Sequence, residues 1–410
     1  MHCKTLAPLI ALALAGTGSS QAQSPPLTLP RALELAESNN PQLRVASAIG
    51  EGARAAITTA KARPNPDFNY LAGRQYILQS SAAAGPQQHF GVAQLIELPS
   101  VRQARLNVAE IGRESSEFLL AETRLALRGA VKQAFYQALR RRQEIAIAED
   151  NRRIVVELER RIRIQVDVGE AARLELIRAE TEVNTANAQL RSAQLRLTTA
   201  LAQLRALLGL PLSQDINVDG ALSPTLDLPA FSELRTSAFA THPALARLRS
   251  EVRRARAILT NEETLRKPQP TLLSEYERQP DNHYFRLGVS IPLPLANRRQ
   301  GPIAEAAAGI SQATAAASAF ELEMTSQMER AYGEYQVASQ QLQAYEDGSL
   351  REAEAALAAA ETAYRLGERG ILEVLDAQRV LRSIRFDYLN AQFDRQSARI
   401  ELEQLRGADF

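Results

Sequence analysis

The sequence predicts a mainly helical protein with a small membrane-inserted β portion, built from two copies of one unit. Three observations indicate this fold class. Only 5% of the 410 residues are aromatic, and Gly and Pro number 20 and 19, which is typical of a helix-rich chain. Short motifs recur in the same order in both halves. A heptad pattern of apolar residues also fills one long segment of each half.

The first segment to set aside is the N-terminus, which has the pattern of a secretory signal. A basic start precedes an apolar run from Leu6 to Ala15, and small residues follow up to Ala22. We therefore expect residues 1–22 to be a cleaved signal peptide of an exported protein. The sole cysteine, Cys3, precedes the apolar run, so we expect no lipid anchor on the mature chain.

The mature chain is predicted to be a duplication. Asn40-Pro41 in the first half corresponds to His242-Pro243 in the second, and Val168-Gly169 corresponds to Leu366-Gly367. The correspondence predicts a first repeat over residues 23–210, a linker over 211–229 and a second repeat over 230–410.

Each repeat is expected to contain the same run of elements. Two helices end at a basic-Pro-x-Pro breaker, because proline is not tolerated inside a helix. A β-hairpin follows, with strands at 67–79 and 89–98 in the first repeat and at 271–279 and 283–291 in the second. Proline-free outgoing helices over 101–166 and 303–366 then begin helical hairpins that span about 101–208 and 303–407.

The returning helix of each hairpin carries a heptad seam. Large and small apolar residues alternate along it, which predicts close packing on the outgoing helix as an antiparallel coiled coil. The two seams match position by position, and every member except Arg395 is apolar. The members are Leu176, Ala179, Val183, Ala186, Leu190, Ala193, Leu197, Ala200, Leu204 and Leu207, then Val374, Ala377, Leu381, Ile384, Tyr388, Ala391, Arg395, Ala398, Leu402 and Leu405.

The strands favour an oligomeric membrane pore. Four strands per chain are too few to close a barrel, and open strand edges are not tolerated in hydrocarbon, so the missing strands must come from other copies. In the last strand, Phe285, Leu287 and Val289 alternate with Arg286 and Gly288, as lipid and lumen faces would. A soluble hairpin that caps a coiled coil would show the same alternation.

Charge and composition argue against other classes. Lys and Arg number 48 and Asp and Glu 47, giving a net charge of +1, so no nucleic-acid partner is expected. Beyond the expected signal peptide the only histidines are His89, His242 and His283, which are far apart in sequence. No metal cluster or activated nucleophile is visible. We expect neither an enzyme, nor a cofactor, nor a resident metal.

Several segments, taken in order, resemble the TolC-like outer-membrane efflux proteins of Gram-negative bacteria. They are residues 33–41, the strand exit at 289–294, and 364–367 leading into 372–377. The resemblance implies a homotrimer that forms a shared 12-stranded β-barrel in outer-membrane lipid and a periplasmic α-helical barrel. It also implies docking on a periplasmic adaptor protein and, through it, on an inner-membrane pump of the RND type.

The resemblance assigns two sets of site residues at the far end of the helical hairpins. The adaptor-docking tips are implied to be Val168, Gly169, Leu366 and Gly367. The periplasmic gate is implied to be Glu175, Tyr364, Arg369, Glu373 and Asp376. Glu stands at 175 and 373 where the family commonly has Asp. Plain turn chemistry and solvated ion pairs are the alternative explanations of these residues.

The substrate is the least constrained inference. Residues 292–301 resemble a corner found in channels that serve heavy-metal pumps, although Ala296 replaces the usual aromatic residue. The sequence therefore predicts a passive efflux duct, with heavy-metal cations as candidate substrates. A type I secretion duct for polypeptides and a coiled-coil structural protein without a pore remain the alternatives.

Overall fold

The structure, a computed structural model, describes residues 26–76, 84–211, 213–222 and 228–409, and the expected signal peptide lies outside these ranges. No helix in the described ranges has both the length and the apolar character needed to cross a bilayer. The helices are α1 (Leu29–Asn39), α2 (Pro41–Lys61), α3 (Pro99–Asp167), α4 (Arg173–Leu208), α5 (Phe231–Thr241), α6 (Pro243–Thr264), α7 (Gln300–Ala344), α8 (Leu350–Arg365) and α9 (Ile371–Arg406). The strands are β1 (Asp67–Gln75), β2 (Gly85–Leu95), β3 (Thr271–Arg278) and β4 (His283–Ser290).

The longest helix, α3, is the spine of the chain. Its 69 residues extend about 100 Å at roughly 1.5 Å per residue. It packs against α2 and α4 of its own repeat and against α6 and α9 of the second repeat. In turn, α7 packs against α6 and α9, and α8 packs against α9. The helices thus form one layer whose outer members are α2 with α4 on one side and α7 with α8 on the other.

The Asn-Pro motif of the first repeat lies where α2 is stacked on the end of α4. The Asn40 side chain accepts a hydrogen bond from the Gln42 backbone N–H at 2.8 Å, which caps α2. Its amide donates at 2.8 Å to the carbonyl of Leu207 near the end of α4. One buried side chain therefore both starts α2 and fixes it to α4.

The second repeat makes the same junction with different atoms. His242 Nδ1 accepts from the Ala244 backbone N–H at 3.2 Å and caps α6. The Thr241 hydroxyl donates at 2.9 Å to the carbonyl of Arg406 at the end of α9. Burial lowers the pKa of His242, which favours the neutral ring whose Nδ1 accepts this bond.

The expected coiled-coil seam forms on both returning helices. On α4 the small members are the most buried, and the leucines between them are mostly half-buried, so the backbones of α3 and α4 approach closely. The buried alanines of this seam are Ala179, Ala186, Ala193 and Ala200. On α9 the buried members are Val374, Leu381, Ala391, Ala398, Leu402 and Leu405.

The outgoing helix of the second repeat is not continuous, contrary to the expectation over 303–366. A π-helical turn at Tyr345–Ser349 separates α7 from α8, and the Leu350 N–H bonds the carbonyl of Tyr345, five residues back. The rings of Tyr345 and Tyr388 meet edge to face at 6.2 Å. A π-turn keeps its backbone hydrogen bonds and can therefore form without a proline. The lack of proline over 303–366 did not exclude such a turn.

The two hairpins form one antiparallel sheet in the order β1-β2-β3-β4. The strand β2 begins at Gly85, earlier than the expected residue 89, because Gly85 pairs with Gln75 of β1 and Gln88 pairs with Arg278 of β3. Pairing with both neighbours extends the strand beyond what its own alternation indicates. The pairing of β2 with β3 joins the two repeats at this end of the molecule.

The sheet has one apolar and one polar face, as the alternation predicted, because side chains alternate across a strand. The apolar face contains Phe68, Tyr70, Phe90, Val92, Leu272, Tyr276, Phe285, Leu287 and Val289. The polar face contains Asp67, Asn69, Gln87, His89, Glu275, Glu277 and Arg286. Each face runs across all four strands but is not uniform, since exposed Leu71 lies on the polar face and Arg74, Arg278 and His283 lie on the apolar face near the hairpin ends.

The junction of α4 with α2 provides a stability test at Gly209, which ends α4 with φ +67°. A Cβ there would lie 2.8 Å from the Asn39 carbonyl oxygen, whereas a Cβ at Gly169, with φ +80°, would meet nothing within 4 Å. Gly169→Ala pays only for the left-handed backbone, about 1–2 kcal/mol. We expect Gly209→Ala to lower the thermal unfolding midpoint clearly further, as measured by circular dichroism. Equal midpoints for the two variants would contradict this account of the junction.

Candidate functional site

The end of the helical layer opposite the sheet contains two turns, one for each helical hairpin. In the first, Gly169 adopts φ +80° and its N–H bonds the Val166 carbonyl at 3.1 Å. The Glu170 N–H bonds the Gln165 carbonyl at 2.7 Å. This pair of bonds is a Schellman motif, which ends α3 and uses glycine because the left-handed backbone disfavours a Cβ.

The second turn repeats this geometry at the end of α8. Gly367 has φ +72°, and its N–H bonds the Tyr364 carbonyl at 3.1 Å. The Glu368 N–H bonds the Ala363 carbonyl at 2.9 Å. Turn chemistry thus accounts for both glycines, and any binding role of the tips must come from the side chains that surround them.

Those side chains are apolar and exposed. Val168 is 65% exposed and Leu366 is 68% exposed, and they occupy equivalent positions of the two turns. Leu174 and Leu372, at equivalent positions in the first turns of α4 and α9, are also exposed. Sequence reasoning missed this second pair, although its recurrence in both repeats was a usable signal. The two turns together present four exposed aliphatic side chains at this end of the helical layer.

Beneath the exposed side chains, the two hairpins share a small apolar cluster. Ile162 of α3 and Ile371 of α9 are almost completely buried, and they pack with Ala179, Val374 and Leu375. The cluster joins α3, α4, α8 and α9, so the tips are held together by packing as well as by their connections. The exposed side chains therefore lie on a supported base.

Tyr364 connects the two hairpins just above the tips. Its hydroxyl donates a hydrogen bond of 2.8 Å to the side-chain oxygen of Gln165 at the end of α3. Burial raises the pKa of Tyr364, and the nearby Glu175 carboxylate raises it further, so the hydroxyl stays protonated and able to donate. The structure thus brings Tyr364 and Glu175 together. Gln165 was missed because a lone glutamine in a charged helix carries no motif.

The remaining gate candidates are solvent-exposed. Arg369, Glu373 and Asp376 lie on the outside of the second turn and of the start of α9. Within the described part of the chain, Arg369 forms no ion pair with Glu175 or with any other carboxylate. Glu175 and Glu373 lie in the first turns of α4 and α9, where a negative charge is favoured by the helix dipole.

The described ranges contain no group of three or more His, Cys, Asp or Glu side chains arranged to hold a metal ion.

Comparison with known proteins agrees with this architecture. The chain is 27% identical over 410 residues, covering 98% of itself and 96% of its relative, to the cobalt-zinc-cadmium resistance protein CzcC of Cupriavidus metallidurans. It is 26% identical over 409 residues to the pyoverdine export outer membrane protein OpmQ of Pseudomonas putida, covering 93% of this chain and 84% of that protein. Among solved structures, the CusC channel superposes with a TM-score of 0.78 at 20% identity, over 93% of this chain and 92% of that one.

The family described as outer membrane efflux protein matches two segments, residues 32–210 and 234–408. These segments include all four long helices of the hairpins and all four strands. Two sets of helices joined by a shared sheet, with paired turns at the far end, are what a duplicated efflux channel requires. The chain belongs to the outer membrane efflux protein family, whose members are transport ducts and not enzymes.

Proposed function

We propose that three copies of this chain form the passive exit duct of a tripartite efflux system that expels divalent metal ions. An inner-membrane pump of the RND type supplies the substrate through a periplasmic adaptor. The observation that carries the proposal is that the sheet and the helical layer both end in open edges. A single chain is therefore an incomplete wall, and copies placed edge to edge complete it.

The open edges are visible at both levels of the chain. In the sheet, β1 and β4 each pair with only one neighbour among the described strands, and an unpaired edge is not stable in hydrocarbon. In the helical layer, α4 exposes Leu195 on one side, and α7 exposes Leu322 and Val337 on the other. Contact between these dissimilar edges is heterologous, and such contacts form a ring where the rotation between copies closes. A trimer of four-stranded sheets gives twelve strands.

The two faces of the sheet suit lipid on one side and water on the other. The apolar alternation of β4 continues beyond the strand through Ile291, Leu293 and Leu295, all exposed. The eight residues of β4, His283–Ser290, rise about 24 Å, or about 18 Å at a tilt of about 40°. The strand thus covers most of the apolar band of an outer-membrane barrel, which is about 25 Å tall. The polar face then lines the pore.

The substrate proposal rests on relatives and not on a binding site. The relative matched over almost the whole chain is named for resistance to cobalt, zinc and cadmium, and a second, matched over 49% of this chain, for resistance to nickel, cobalt and cadmium. The relative named for pyoverdine export has similar identity, so a siderophore is the second candidate. A passive duct takes its selectivity from the pump that feeds it.

We assign the tips to adaptor docking and the adjacent charges to the gate. Val168 and Leu366, with the turns formed by Gly169 and Gly367, supply an exposed apolar surface on a packed base. The gate would consist of Tyr364 and Arg369 together with three acidic residues, Glu175, Glu373 and Asp376. Arg369 is exposed without a carboxylate partner in the described chain, so it is free to pair with Glu175 of a neighbouring hairpin in the assembled ring.

The first test concerns the substrate. Deleting the chain from its native host should reduce resistance to zinc, cobalt and cadmium several-fold, measured as minimal inhibitory concentrations, because the pump loses its exit. A plasmid copy should restore resistance, and a copy without β3 and β4 should not. Unchanged metal resistance together with reduced siderophore secretion would contradict the metal proposal and make a siderophore the substrate of the duct.

The second test concerns docking. Gly367→Val forces a β-branched residue to φ +72° in open space, so it should distort the tip turn without a clash in the core. We expect crosslinking to the adaptor to fall at least several-fold while the trimer remains intact. Gly333→Val is the matched control, since this glycine lies inside α7 with equal open space and no positive φ. Equal crosslinking in Gly367→Val and the unaltered protein would show that this turn is not part of the docking surface.

The third test concerns the gate. One partly exposed ion pair contributes about 1 kcal/mol, and three copies together contribute about 3 kcal/mol, roughly a hundredfold in the opening equilibrium. We therefore expect Arg369→Ala to raise the resting conductance of channels in planar bilayers, most strongly at low salt, where screening is weakest. Arg160→Ala is the control, because Arg160 pairs with Glu157 within its own helix. A wild-type conductance for Arg369→Ala at low salt would make Arg369 an ordinary surface charge.

A further inference from the structure

The apolar face of the sheet contains an aromatic row followed by cationic residues. Tyr70, Phe90, Tyr276 and Phe285 are register partners across the four strands, so they lie at one height on one face. The Tyr70 and Phe90 rings are 4.9 Å apart, and the Phe90 and Tyr276 rings 6.2 Å apart. Aromatic residues in such a row mark the boundary between hydrocarbon and headgroups.

Two arginines and a histidine lie just past this row, toward the free ends of the hairpins. Arg278 and His283 are register partners, and each lies two residues from its aromatic neighbour on the same face. Arg74 follows one pleat further along β1, two strands away from Arg278, or about 10 Å across the sheet. All three side chains are exposed.

These cations differ in pairing from the arginine on the opposite face. Arg286, on the polar face, forms an ion pair with Glu277 at 3.1 Å and lies over the Tyr284 ring. Neither Arg74 nor Arg278 forms an ion pair or a hydrogen bond through its side chain with any described residue. Among the described residues, these two guanidinium groups thus have no paired anion beside the aromatic row.

His283 is fixed in place beside them. Its ring stacks on Tyr276 with a centroid separation of 6.1 Å, and its Nδ1 is 2.9 Å from the Tyr276 hydroxyl. The aromatic row therefore holds the imidazole ring of His283 in one orientation. A side chain held in this way loses less conformational entropy when it binds a ligand.

We propose that Arg74, Arg278 and His283 bind the phosphate groups of a glycolipid in the outer leaflet of the outer membrane. This inference rests on the proposed function, which inserts the sheet with the hairpin ends facing outward. Guanidinium groups bind phosphate with two parallel hydrogen bonds, and a phosphate monoester without a neighbouring ammonium group carries a larger net negative charge than a zwitterionic headgroup does. The acyl chains of the same lipid pack on Phe285 and Leu287, which are 68% and 70% exposed. Each trimer carries three such sites on its circumference.

A lipid fits this surface better than a soluble anion does, because the site is continuous with the apolar face. A free phosphate gains only the charged contacts, and these are weakened by the surrounding water and salt. A phosphorylated lipid gains the same contacts together with burial of apolar surface, about 25 cal/mol for each Å². The two sources of phosphate therefore predict different affinities.

The test uses the full-length mature protein purified as a trimer in detergent. Binding of bisphosphorylated lipid A, its dephosphorylated analogue and inorganic phosphate is measured by native mass spectrometry and by the shift of the thermal unfolding midpoint. We expect the phosphorylated lipid alone to bind and to stabilise the trimer. The double variant Arg74→Gln with Arg278→Gln should bind it at least tenfold more weakly. Arg286→Gln, which alters a cation on the opposite face, should bind it like the unaltered protein.

Three results would overturn the proposal. They are equal binding of the dephosphorylated analogue, equal binding by the double variant, and inorganic phosphate that binds as tightly as the lipid. The mass of the unliganded protein is recorded in the same experiment. A monomer would contradict the proposed function itself, whereas an intact trimer that fails to bind the lipid contradicts only this inference.

Discussion

The antiparallel pairing of β2 with β3 is the constraint on which the rest of the structure depends. It joins the last strand of one repeat to the first strand of the other, so the two repeats lie side by side. The same order continues into the helices, where α3 of the first repeat packs on α6 and α9 of the second. Because the second repeat adds its strands beyond β2, the described sheet of one chain has β1 and β4 as its two edges. Such edges offer unpaired backbone groups to which another strand could bond.

Local chemistry explains why the duplication could be recognised in the sequence. Asn40-Pro41 and His242-Pro243 recur because each repeat must cap a helix that is stacked on the end of another helix. In one repeat the acceptor atom of the cap is Asn40 Oδ1, and in the other it is His242 Nδ1. Gly169 and Gly367 recur because both tips require a left-handed residue. The fold class, the hairpins and the seams were therefore predictable, since each depends on residues close together in the chain.

The features that the sequence did not predict depend on distant partners. The start of β2 is set by its two neighbours, one of them from the other repeat. The π-turn at Tyr345–Ser349 has no local sequence motif that indicates it, and Tyr345 contacts Tyr388 of another helix, α9. At the candidate site, the tips and their glycines could be predicted. The bond from Tyr364 to Gln165 could not, because nothing in the sequence relates the end of α8 to the end of α3.

The ion pairs between the repeats change along the helical layer, and apolar packing takes their place at the tips. Far from the tips, Lys132 and Glu403 form an ion pair at 2.6 Å with side chains only 10% and 7% exposed, and breaking such a buried pair is costly. Toward the tips, the contact between Arg379 and Glu182 is longer, at 3.3 Å, and its arginine is 52% exposed. Exposed pairs contribute at most about 1 kcal/mol each. At the tips, buried Ile162 and Ile371 and the hydrogen bond from Tyr364 to Gln165 join the hairpins. Separating the hairpins there must therefore expose this apolar cluster as well as break charged contacts.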